Sequence, residues 1–223
     1  MLWLVLASLL WVGVHVGVAG TRLRGEAVAR LGEKGFMITF SAASFVSIAL
    51  LVLAWQNAPY QPLWMVPGWV TGMLALLILP GFWLFVASVA SPNPTAAGGK
   101  LAGEEPRGVQ RITRHPMLWS FSLWAGVHVA TNGDVAGLLF FGAFLVTSLV
   151  GMPSIDRKLA ARDPALWARL APRTSILPFG AVIAGRNRVA LGEIPKLVWI
   201  IGTLAWLALL VAHPWIFGVP ALR

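Results

Sequence analysis

The sequence predicts an all-α membrane protein: a polytopic helix bundle with six transmembrane helices and both termini on the non-cytoplasmic side. Three observations lead there. Of the 223 residues, 58% are hydrophobic and only 11% charged, whereas a soluble domain carries about 25% charged residues. The apolar residues collect into six runs near the length of a membrane span. The basic residues concentrate in alternate connections between those runs.

A spanning helix needs roughly 20 apolar residues, and such runs fall at about 1–20, 36–56, 68–91, 116–132, 134–152 and 194–219. The first lacks a basic segment before it and has Arg22, Arg24, Arg30 and Lys34 after it, so it reads as an uncleaved helix and not as a signal peptide. The fourth is short, and its start is expected inside the membrane or at an angle. Asn132, Gly133 and Asp134 separate it from the fifth as a tight turn, predicting a helical hairpin. Residues 92–108, rich in Pro and Gly, read as a flexible loop. Between 153 and 193, Ile155, Leu159, Leu166, Trp167 and Leu170 alternate with Arg157, Lys158, Arg162 and Arg169. That pattern predicts a helix lying on the membrane interface. The whole chain, 1–223, reads as one transmembrane domain.

Orientation follows from charge. The connections at 21–35, 92–115 and 153–196 hold sixteen Lys and Arg, the alternate connections hold none, and Arg223 stands alone at the far end. The positive-inside rule makes the three basic connections cytoplasmic. The net charge of +9 is therefore a matter of topology and of contact with anionic lipid, and nucleic acid is not an expected partner. No transit peptide is visible, so the expected location is a bacterial inner membrane.

The chain has no cysteine and only eight acids, which excludes thiolate metal sites and disulfides and disfavours a proton relay, which needs carboxylates at depth. Ionisable side chains inside a bilayer are costly and mark functional sites. His15 lies in the first helix, His128 in the fourth and His213 toward the end of the sixth, while His115 starts the fourth. Each has a plain role as a helix-packing hydrogen-bond donor. The alternative is that two neutral imidazoles from different helices clamp a haem iron, with Arg22, Arg24, Arg111 and Arg114 available to the propionates. Phe121, Trp124 and His128 share one face of the fourth helix, and Gly126 leaves room beside them. Ser41, Ser44 and Ser47 form a polar stripe in the second helix. The most distinctive local motif is Gly108-Val-Gln-Arg-Ile-Thr-Arg-His-Pro116, a helix start with proline at its first position. Its Arg-His pair reads either as an anion site or as a headgroup anchor.

These residues carry a family resemblance. The segments beginning at His15, Leu31, Arg111, Trp124, Asp156, Arg173 and Gly185, and Ala212-His213-Pro214, resemble in order and spacing the NnrU family. It includes bacterial proteins linked to denitrification and the zeta-carotene isomerase of plants and cyanobacteria. The resemblance implies an integral membrane protein binding haem b, with His15 and His128 as axial ligands; from the residues themselves, Arg22, Arg111, Arg114, His115 and Trp124 are added as expected neighbours of the cofactor. The resemblance further implies cis–trans isomerisation of an apolar polyene when the reduced iron exchanges a ligand. The exchanging ligand in the plant enzyme is a cysteine at the position of Ala125, so haem binding carries over better than the ligand exchange. For a bacterial member, a role in nitric oxide or nitrite metabolism is the other branch.

Helix geometry sets one tension within that expectation. At a rise of about 1.5 Å per residue, His15 lies roughly 8 Å from the basic end of its helix and His128 about 18 Å from Pro116. Two ligands of one iron must approach within about 4 Å. Either the fourth helix begins deeper or the first is displaced; otherwise His115 pairs with His15 by depth. Two further functions stand beside haem chemistry: a membrane methyltransferase, since Arg114-His115-Pro116 resembles the element of isoprenylcysteine methyltransferases that holds the methyl donor, and a cofactor-free assembly factor. Protein partners are not indicated.

Overall fold

The computed structural model describes residues 1–95 and 105–222. Lys100 and most of the expected 92–108 loop, together with Arg223, lie outside the described residues. Among the described residues every regular element is a helix, and every expected apolar run forms one. The chain is an all-helical membrane protein. Four helical stretches are long and apolar enough to cross a membrane: Leu23–Gln56, Gly68–Ala90, Val135–Arg162 and Lys196–Phe217. The first and fourth apolar runs form shorter helices, Leu2–Val18 and Pro116–Asn132.

The contacts divide the chain into two compact units, Met1–Val66 with Ala125–Ser154, and Pro67–Trp124 with Ile155–Arg223. The first unit holds α1 (Leu2–Val12), which continues as a π-helical turn over Gly13–Val18, and α2 (Leu23–Gln56). Inside α2, Gly32 adopts φ 71°, a value that favours glycine, and the break separates the charged leg Leu23–Leu31 from the apolar spanning part. Arg24 turns back across the break, pairing with Glu33 and lying 5.1 Å over the Phe36 ring. Ser8 Oγ donates to the Leu139 carbonyl and Ser154 Oγ to that of Gly20, tying the first helix to the fifth apolar segment.

The expected hairpin is present. Helix α6 (Pro116–Asn132) and helix α7 (Val135–Arg162) meet at Gly133, φ 66°. Asp134 Oδ1 accepts from the Gly137 N–H, satisfying one of the free donors at the start of α7. The 57–67 connection closes over this turn. Leu63 N–H and Trp64 N–H donate to the Gly133 carbonyl at 2.8 and 3.1 Å, and Trp64 Nε1 reaches Ala130 O at 2.9 Å.

The second unit holds α3 (Gly68–Leu76) and α4 (Ile78–Ala90), the short α5 (Val109–Ile112), and α8 (Pro164–Leu170), α9 (Gly180–Ile183) and α10 (Lys196–Phe217). Its core joins Leu84, Ala87, Val109, Ile194 and Val198. Gly202 lets α10 press against Trp83, whose Nε1 donates to Thr203 Oγ1 at 3.0 Å. The predicted interfacial helix takes a different form. Leu159, Leu166 and Leu170 are buried in one cluster with Trp167 packed on it, so that apolar stripe is used inside the protein and not offered to lipid. The exposed large apolar side chains between 153 and 193 are Leu177, Phe179, Ile183, Val189 and Leu191, with Ile183 85% exposed.

Candidate functional site

In the first unit the π-helical turn carries His15. Insertions of this kind in helices recur at functional sites. The His15 Nδ1 lies 2.9 Å from the Trp11 carbonyl. A carbonyl only accepts, so Nδ1 carries the proton and Nε2 keeps its lone pair. This is the arrangement that orients a metal-ligating histidine. The imidazole is half-buried, with the Trp11 ring 3.9 Å away and Phe40 edge-on at 5.5 Å. His128 stacks on Phe141 at 4.6 Å. A run of ring contacts joins the two: Trp11 to Phe144, Phe144 to Phe140, and Phe140 to Phe141. His15 and His128 therefore belong to the same unit and to the same aromatic layer. Ala125, one turn before His128, is fully buried.

Beside His15 an open groove of about 400 Å³ is lined by Trp11, Phe40, Ser41, Ser44, Phe45 and Phe144. Arg22 is exposed at the N-terminal cap of α2, four residues beyond the π-helical turn.

The remaining candidates lie in the second unit, where they meet residues from distant parts of the sequence. Arg114 is 9% exposed, and its Nε and Nη2 grip both oxygens of Asp156 at 2.6–3.0 Å. His115, 1% exposed, bonds the same carboxylate through Nε2 at 2.8 Å. The Arg114 guanidinium stands 5.2 Å over the Trp167 ring. Thr113 Oγ1 donates to Ile176 O, and the Arg114 N–H to Ser175 O. Buried charges persist only when paired and hydrogen-bonded, and this Arg–Asp–His clasp meets that condition except at one atom: His115 Nδ1 is buried without a partner.

Arg111 faces a second acid. Its Nε and Nη2 bind Glu193 at 2.8 and 3.0 Å, and Nη1 reaches Asn187 Oδ1 at 2.6 Å. The Arg111 guanidinium, helped by the Gly108 N–H, lowers the Glu193 carboxyl to about 2 and is itself raised above the usual arginine value. Both arginines expected to meet an anion therefore already hold a carboxylate. Trp124, half-buried on α6, ends the Pro67–Trp124 segment. His213 accounts for itself locally, its Nδ1 donating to Val219 O at 2.6 Å. Among the described residues no three histidine or acidic side chains converge to hold a bare metal ion.

The profile of the family described as NnrU protein matches residues 3–221. The chain belongs to the NnrU family. Among curated proteins it is similar to the chloroplastic 15-cis-zeta-carotene isomerase of Zea mays, 26% identical over 220 residues, covering 95% of this chain and 59% of the relative. The same enzyme of Arabidopsis thaliana is 28% identical over 190 residues, covering 80% and 50%. The chain thus spans between half and three-fifths of the length of these relatives. No solved structure matches it.

Four of the segments that carry the NnrU resemblance, those beginning at Arg111, Asp156, Arg173 and Gly185, gather in the second unit. The one beginning at Asp156 supplies the carboxylate to Arg114 and His115, the one beginning at Arg173 supplies the Ser175 and Ile176 carbonyls, and Arg186 braces the carbonyls of Pro172 and Thr174. Asp156 was the member missing from the sequence reading. Its signal was its position, an acid at the end of an otherwise acid-free apolar helix.

Proposed function

We propose that this chain is a haem b-dependent cis–trans isomerase of a carotenoid-like polyene, acting in a bacterial inner membrane that it crosses six times with both termini on the non-cytoplasmic side. The observation that carries the reading is His15: an imidazole on a π-helical turn, its Nδ1–H given to the Trp11 carbonyl, its Nε2 left as a donor atom beside an apolar groove. The likeness to two 15-cis-zeta-carotene isomerases supplies the reaction class. The sixteen-to-one distribution of basic residues supplies the orientation.

The residues present suit haem by donor chemistry. His15 and His128 would hold it, and Arg22, just beyond the turn that carries His15, would suit a propionate. Bound haem supplies a redox-active iron able to lend electron density to a double bond and weaken it toward rotation. The chain's own contribution is positional. Trp11 fixes the His15 tautomer, Trp11 and Phe40 pack against the imidazole, and the open groove admits a long apolar molecule from the lipid side. Ala125 offers no thiolate, so this chain has no cysteine to trade places with His128. The Arg114–His115 pair is committed to Asp156, which favours a structural role for it over methyl-donor binding.

The purified protein, expressed with haem supplied, should show the spectrum of a six-coordinate low-spin haem in both redox states. His15→Ala and His128→Ala should each convert it to high spin or abolish binding. A preparation that stays colourless refutes the cofactor, and a low-spin spectrum surviving in the His128 variant moves the second ligand elsewhere. Haem-loaded protein that converts no 15-cis polyene to its trans form refutes the isomerase. Nitric oxide binding to that same preparation then tests the nitrogen-oxide branch.

A further inference from the structure

The connection that leads into α10 carries a surface unsuited to water. Leu177, Phe179, Ile183, Val189 and Leu191 are 41–85% exposed, and all lie outside the helices long enough to span a membrane. A rigid frame holds them out. Thr113 Oγ1 and Trp119 Nε1 both donate to Ile176 O at 2.7 Å, and the Phe179 N–H donates to Ile112 O at the same distance. Asn187 Nδ2 donates to Arg173 O, and its Oδ1 accepts from Arg111. Within α9, Ala181 is fully buried while Ile183 is 85% exposed, so the helix packs one side and turns the other outward. Phe179, which caps it, is the only non-glycine residue with positive φ (61°) among the described residues. A bulky side chain held in that region is strained, and such strain collects at contact sites.

The same bonds set the depth of the segment. Trp119 lies in the first turn of α6, and the segment ends at Lys196, where α10 begins. It is therefore level with the starts of two apolar helices, which is where headgroups meet acyl chains. Its charge selects the partner. Arg186, Arg188 and Lys196 are exposed, and the only acid between 177 and 196, Glu193, is already held by Arg111. The Arg188 and Lys196 side chains have no partner among the described residues. Apolar side chains set among free cations at this depth complement an anionic lipid surface.

We propose that residues 177–196 form an interfacial foot seated in an anionic lipid leaflet. Leu177, Phe179 and Ile183 enter the boundary between headgroups and acyl chains, and Arg188 and Lys196 bind lipid phosphates. Contact with the membrane surface thus falls to this segment and not to the 155–170 stripe, whose leucines cover one another. The inference is independent of haem and of isomerase activity.

The chain has no cysteine, so a single introduced thiol reports on one position. Ile183→Cys, and Ala165→Cys at an exposed position of α8, each carry a nitroxide in the full chain, reconstituted into nanodiscs of mixed phosphatidylcholine and phosphatidylglycerol. Collision with oxygen against collision with a water-soluble nickel chelate reads depth. The label at 183 should favour oxygen and the label at 165 the chelate. A bimane at 183 should then be quenched more strongly by brominated phosphatidylglycerol than by brominated phosphatidylcholine at equal fraction. A basic side chain near such a surface is worth up to about 5-fold, so adding Arg188→Gln with Lys196→Gln should bring that ratio close to one. A label at 183 that is open to the chelate, or equal depths at the two positions, overturns the proposal and leaves the face to a protein partner. Equal quenching by the two lipids before the charges are removed, or a preference that survives their removal, overturns the assignment of anionic lipid to Arg188 and Lys196.

Discussion

Removing the carboxylate of Asp156 should be among the most damaging single changes in the chain. The residue is 6% exposed and its carboxylate satisfies two buried cationic or polar partners at once, Arg114 in a two-pronged grip and His115 through Nε2. Asp156→Ala leaves the Arg114 guanidinium, 9% exposed, without a counter-charge and His115 with neither ring nitrogen bonded. Loss of one partner of a buried pair costs about 3–5 kcal/mol, which for a chain of this length corresponds to a fall of roughly 6–20 °C in unfolding temperature. The double change Arg114→Leu with Asp156→Leu removes both charges together. It should be milder than Asp156→Ala alone, because no uncompensated charge remains. Unfolding followed by intrinsic tryptophan fluorescence in detergent measures all of these variants. If Asp156→Ala unfolds within a degree or two of wild type, or if the double variant is the worse of the two, the clasp does not bear on stability and the reasoning fails.

Three further outcomes are expected. Gly133→Ala should destabilise the α6–α7 hairpin by more than about 1 kcal/mol, since φ is 66° and the added methyl would overlap the Trp64 carbonyl; thermal unfolding that matches wild type would contradict it. Gly202→Ala should cost about 1–3 kcal/mol by overpacking, because its Cβ would stand 2.7 Å from Trp83 Cδ1 and 3.2 Å from the Trp83 nitrogen, and chemical denaturation in detergent reads this directly. The Arg111–Glu193 pair predicts an acid-sensitive contribution. The Glu193 carboxyl is lowered from 4.5 to about 2 in the fold, so its stabilisation is complete above pH 4.5 and is lost as pH falls toward 2. In that window the wild type should lose stability faster than Glu193→Gln, and parallel pH profiles would rule the pair out.

The helical class, the positions of the apolar runs and the α6–α7 turn were legible because run length and turn chemistry are local. The number of residues per run told less about which runs are long enough to span. Leu2–Val18 and Pro116–Asn132 are shorter than the other four. The 155–170 stripe was misread because periodicity reports that a helix has an apolar face and not what covers it. Leu159, Leu166 and Leu170 cover one another. Asp156 escaped for a related reason: its partners Arg114 and His115 lie more than 40 residues away in sequence, beyond any helical spacing. The separation of candidates also became visible only in three dimensions, with His15 and His128 in one compact unit and Arg111, Arg114 and His115 in the other.

The π-helical turn at Gly13–Val18 makes the length of the first helix as consequential as its composition. Such a turn holds one residue more than an α-helical one, and one residue is worth about 100° of rotation at 3.6 residues per turn. Dropping Val14 would restore an uninterrupted helix with little change in hydrophobicity, yet would leave Trp11 and His15 three residues apart and turn the Trp11 ring away from the imidazole it now covers. Along this stretch, exchange of a valine for another aliphatic residue should therefore disturb the first helix far less than the loss of one.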